Sequence, residues 1–83
     1  MLGQIQVRKE IAERLKQARI AAGYVSAEEF SEKNNLSIKE YLLHEEGIVV
    51  IRASHALHYC SLLNVSIQWL MLGKVWEEMQ NKA

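Results

Sequence analysis

Apolar residues recur along this chain at helical rather than strand spacing. Ile11, Leu15, Ala18 and Ala22 follow one another at intervals of four, three and four, which places them in one stripe of a first helix that Gly23 stops. Ser26 opens a second helix, with Glu29 three residues on at the capping-box spacing and Phe30 as its main core residue. Asn34-Asn35 marks a corner, and Asn35 suits the left-handed conformation such a corner needs. Ser31, one turn earlier, is small enough for two helices to cross closely. Ser37 caps a third helix, with Glu40 at the box position, and Gly47 ends it. Leu36, Tyr41 and His44 define its inward side, which leaves one of Leu42 and Leu43 exposed. A fourth helix carries Ala56, Leu57, Cys60 and Leu63 and closes near Asn64. Ser66 caps a short fifth helix, "IQWLMLG", with Trp69 in the core, and Gly73 stops it. The tail "KVWEEMQNKA" reads as a last turn or two of helix, with Val75, Trp76 and Met79 on one side.

One stretch resists the helical reading. "GIVVIRAS" groups four β-branched residues, but a single strand has nothing to pair with, so it is expected as a buried or dimer-facing loop. The expected architecture is all-α: one domain over residues 1–83, five helices joined by short turns, and a short C-terminal helical tail. "SEKNNLSIKEYLLHEEG" within it has the outline of a helix-turn-helix.

Composition agrees and excludes several classes. Hydrophobic residues make up 49% of the 83 residues, there is no proline, and there are 4 glycines, so a core is available and helix breakers are scarce. The single Cys60 excludes an internal disulfide and a CxxC zinc site. No apolar run suits a membrane span, and MLGQIQVRKE lacks the apolar centre of a signal peptide, so a cytoplasmic protein is expected. The chain has no aspartate, no glycine-rich phosphate loop and no Ser-His-acid spacing, so no enzyme and no cofactor are expected. His55 and His58 stand three residues apart, a spacing open to metal, but no carboxylate or cysteine accompanies them on that face and no metal site is expected.

Charge is zero in sum and uneven in distribution. Residues 1–24 carry five basic residues against Glu10 and Glu13; residues 25–47 carry Lys33 and Lys39 against six glutamates. Phosphate neutralisation supplies most non-specific DNA affinity, so the acidic central segment speaks against generic DNA binding unless basic residues of the first helix, such as Arg14 and Lys16, compensate.

Four pieces in order, "RLKQARIAAG", "SAEEFSEKNNLS", "HEEG" and "LLNVSIQWLMLG", resemble the Cro and phage-repressor type of helix-turn-helix, the XRE family, from about residue 11 to residue 73. The resemblance implies a lambda-repressor-like fold and a sequence-specific DNA-binding regulator acting as a homodimer, with residues 74–83 as the tail. It implies a salt bridge between Arg19 and Glu45. It places Ser37, Ile38, Lys39, Leu42 and Leu43 toward base edges, and Ala27 at a position that often contacts phosphate. Lys33 and Arg52 are the nearby basic candidates. Dimer contacts are expected from the loop Ile48–Ile51, the fifth helix, and Trp76 and Met79 of the tail. The departures fall on the DNA-facing side: Ala27 is apolar, the leucines donate no hydrogen bonds, and Arg52 alone follows Gly47 where the family is often basic. The alternative is a protein-interaction module whose partner surface is the acidic, leucine-bearing face of the second and third helices.

Overall fold

The computed structural model describes the backbone of residues 2–81 and the side chains of residues 6–80. It is helical, with no strand among those residues. The helices are α1 (Leu2–Ala21), α2 (Ala27–Lys33), α3 (Ile38–Glu45), α4 (Ala53–Leu63), α5 (Ile67–Leu72) and α6 (Lys74–Asn81). The first begins well ahead of Ile11, because residues 4–10 hold neither glycine nor proline and Gly3 falls in the first turn, where it costs little. The expected tail forms α6, separated from α5 by Gly73 alone. Lys82 and Ala83 of that tail lie outside the described residues. Of "GIVVIRAS", residues 47–52 form a loop, and Ala53 and Ser54 open α4.

The helix ends follow local chemistry. Ser26, Ser37 and Ser66 each accept a hydrogen bond from the backbone N–H three residues on, at 3.0, 3.2 and 3.0 Å. Asn64 closes α4 at φ 58°, and Asn35 takes φ 55° at the corner after α2.

α1 packs on both α3 and α5, α2 on α3, and α4 on α5. Between them runs a row of rings. Phe30 lies 5.0 Å from Tyr24 and 5.0 Å from Tyr41, and Tyr41 meets Tyr59 edge-on at 5.3 Å. Phe30, Tyr41, Leu15, Ala56 and Leu70 are fully buried. Cys60 is buried among them, and burial pushes its thiol pKa up.

Several inward assignments differ from the periodic reading. On α1, Ala12 is buried while Ala22 lies past the helix end and is exposed. On α4, Leu57 is 55% exposed and Tyr59 takes its place, because α4 turns its Ala56, Tyr59 and Leu63 side to the core. On α5, Leu70 fills the core and Trp69 is only half-buried at its edge. Neither Leu42 nor Leu43 is fully exposed; both are half-buried. Of the loop's four β-branched residues only Ile51 is buried, and Ile48, Val49 and Val50 stay open.

Candidate nucleic-acid interface

The α2–α3 corner is built by side chains short enough to serve the backbone. Asn34 donates from Nδ2 to the Phe30 carbonyl at 2.9 Å, and the Leu36 N–H donates to the Ser31 carbonyl at 2.9 Å. Ser31 is fully buried there, with no bulk to hold the helices apart. At the start of α2 the Glu29 carboxylate accepts from the Val25 N–H at 2.9 Å, one residue before the cap. That hydrogen bond, with Lys33 nearby, holds the Glu29 carboxyl below its usual range. Glu40 does not return to its cap; it reaches His55 on α4 at 3.1 Å.

Behind this corner Arg19 and Glu45 join α1 to α3. Arg19 Nη2 lies 2.9 Å from Glu45 Oε1, its Nε donates to the same carboxylate, and its Nη1 donates to the Tyr24 carbonyl at 2.8 Å. The two side chains are 6% and 8% exposed, so the charges satisfy each other inside the protein.

On the outward side, Ser37, Ile38 and Lys39 at the start of α3 are open. A groove of about 400 Å³ brings Ser37, Lys39, Leu43 and Arg52 together with Val49 and Val50. Lys33 is exposed on α2, 3.5 Å from Glu29, and lies outside this groove. Two candidates are turned away. Ala27 is 7% exposed and part of the core, so its side chain has no surface role. Leu42 packs against the core because it follows Tyr41 on the inward flank of α3. Arg14 is likewise committed: its guanidinium donates to the carbonyls of Leu70 at 2.8 Å and Met71 at 3.3 Å. It neutralises the C-terminal end of α5, and burial lowers its pKa from the ordinary value. Lys16 remains open on α1.

The histidines form an arrangement that spacing along one helix does not reveal. His44 on α3 is buried and lies 2.7 Å from the Tyr59 hydroxyl through Nδ1. Its ring stands 5.1 Å from that of His55, which pairs with Glu40, while His58 is exposed. No group of three His, Cys or Glu side chains among the described residues has a metal-holding arrangement. Burial pushes the Tyr59 phenol up to about 12, so it keeps its proton, and it shares with His44 Nδ1 one hydrogen bond whose direction follows the imidazole tautomer. Burial, and then the neighbouring His55, lower the His44 pKa below 6.5.

The unfolded chain therefore takes up a proton at His44 before the folded protein does. Stability from this residue is complete above pH about 6.5 and is lost as pH falls toward the lowered folded value. The melting temperature should drop between pH 7 and 5, and a His44→Gln variant should show a shallower drop; equal slopes in a thermal scan would remove His44 from the account.

Comparison with family models, with characterised proteins and with solved structures finds no match to this chain.

Proposed function

We propose that this chain is a helix-turn-helix DNA-binding regulator of the Cro and phage-repressor type, acting as a homodimer, with α3 in the major groove. The observation that carries this reading is the α2–α3 corner. Left-handed Asn35 and buried Ser31 bring two short, capped helices together, while Ser37, Ile38 and Lys39 stay open on the outer face. Lys39 has the reach for a guanine edge or a phosphate, and Ser37 for either. Ile38, and Leu43 with Val49 and Val50, offer apolar contact to thymine methyl groups. Arg52 and Lys33 are the flanking phosphate contacts. The groove-facing cations are few, so affinity depends on two heads binding half-sites about one helical turn apart.

Selection of bound duplexes from a random pool at two salt concentrations tests this. An enriched two-fold motif is expected, with affinity falling as salt rises. Lys39→Ala should weaken binding about tenfold, within the range of one specific base contact. A folded protein that enriches nothing even at low salt would overturn the proposal.

A second reading is favoured by the apolar wall of the same groove and by Glu40, which lines it beside Lys39. In it, the face binds a protein partner and not DNA. Leu43→Ala then abolishes partner capture, while Lys39→Ala leaves it unchanged.

A further inference from the structure

The groove beside α3 has a polar floor that the proposed DNA contacts do not use. His44 is 3% exposed, and its Nδ1 lies against the Tyr59 hydroxyl at 2.7 Å. Its other nitrogen, Nε2, takes no hydrogen bond among the described residues and is not enclosed, so that edge of the ring opens into the groove. A polar atom on a buried side chain normally has a partner. When Nδ1 accepts from the Tyr59 hydroxyl, Nε2 carries the imidazole proton and donates outward.

The charges around that opening favour an anion. Lys39 and Arg52 line the groove, and neither is in an ion pair among the described residues. The carboxylate that lines it, Glu40, is already held by His55 at 3.1 Å. α4 starts here uncapped: Arg52 stands at the N-cap position, no side chain bonds the first N–H groups, and the first turn has no acidic residue. The positive end of that helix therefore stays open. The remaining wall is apolar, made by Leu43, Val49 and Val50. A volume of about 400 Å³ falls within the roughly 300–1,000 Å³ of small-molecule sites.

We propose that this groove binds a small organic acid. Its carboxylate is seated on His44 Nε2 between Lys39 and Arg52, and its aliphatic body, about five carbons long, lies against Leu43, Val49 and Val50. Both parts are needed. Phosphate satisfies the donors and leaves the valines wet; a neutral amide covers the valines and leaves two cations without a counter-charge. For its consequence the inference rests on the DNA reading. The acid covers Lys39, Leu43, Val49, Val50 and Arg52, the side chains assigned there to DNA, so acid and operator exclude one another. The acid then acts as an inducer, sensed on the recognition helix itself.

Titration of the DNA-free full chain with hexanoate at constant ionic strength, followed by amide shifts in NMR, tests the site. Binding should saturate with a Kd of about 1 mM, and the shifts should be confined to α3, the loop and the start of α4. Lys39→Gln and Arg52→Gln, both at exposed positions, should each weaken it about fivefold, and His44→Phe about tenfold. The two exposed variants decide the matter if His44→Phe does not fold. Hexanamide and inorganic phosphate should each bind about tenfold more weakly than hexanoate. No saturation by about 50 mM, shifts centred elsewhere, hexanamide or phosphate equal to hexanoate, or indifference to both exposed substitutions would overturn the site. On a selected duplex, hexanoate at about ten times its Kd should weaken DNA binding about tenfold, and an unchanged DNA affinity would overturn the exclusion. Hexanoate binding by a chain that selects no DNA would leave the acid site standing and reject the DNA reading alone.

Discussion

Glu45→Ala should remove about 3–5 kcal/mol of unfolding free energy, the usual loss when one partner of a buried ion pair is deleted. The Arg19 guanidinium has nowhere to go: its side chain is 6% exposed, and its remaining acceptor is the Tyr24 carbonyl. Water does not reach the stranded charge, so it stays desolvated and half-bonded, or α1 and α3 separate to wet it. A small domain has on the order of 5–15 kcal/mol in total, so the variant should be marginal at 25 °C. Arg19→Met with Glu45→Leu should regain most of the loss, since two apolar side chains of similar volume carry no desolvation cost. Chemical denaturation of the three proteins decides the matter. A single variant within about 1 kcal/mol of wild type would mean that the pair is solvated and contributes as a surface bridge does.

Phe30→Ala is the second large effect, at about 3–5 kcal/mol. Phe30 is fully buried and stands between Tyr24 and Tyr41, 5.0 Å from each ring. Its removal costs the transfer of the ring and leaves a cavity in the middle of the aromatic row, together with the edge-on and tilted contacts, which add roughly 0.5–1.5 kcal/mol per pair. The site is poorly placed to collapse, because Tyr41 is held on its far side by Tyr59. Phe30→Leu should cost less, as it refills much of the volume. Because α2 has seven residues and Phe30 is its largest core side chain, the α2–α3 corner should loosen together with global stability. Thermal unfolding followed by circular dichroism reads the cost. The proposed DNA binding, assayed on the fraction that stays folded, tests the geometry of the corner.

Helix existence was legible because its signals are local. Ser26, Ser37 and Ser66 act within three residues of themselves, and Asn35, Asn64, Gly23 and Gly47 end segments by their own backbone preferences. The inward set was legible only in part. Ala56, Cys60 and Leu63 form one stripe, and Leu57 and Tyr59 stand on its two opposite flanks; hydropathy favoured Leu57, while contact with neighbouring helices chose Tyr59. The same ambiguity left Leu42 among the outward residues, although it packs against the core. Arg14 shows the larger gap. As a basic residue of α1 it counted toward phosphate binding, and only the arrival of α5 gave it two carbonyls to hold.

What the chain's order of residues determined by itself is therefore an all-helical protein with its caps, corners and breaks, since those depend on neighbours no more than about four positions away. Of the pairings that span more, only the Arg19–Glu45 bridge was named beforehand, by the family resemblance and not by spacing; tertiary structure decided the others. Glu40 meets His55 across 15 residues, Arg19 meets Glu45 across 26, and Arg14 meets Leu70 across 56. No spacing rule reaches that far. Such groups find each other only after apolar burial has set the helices side by side, and burial is indifferent to which polar neighbour comes along.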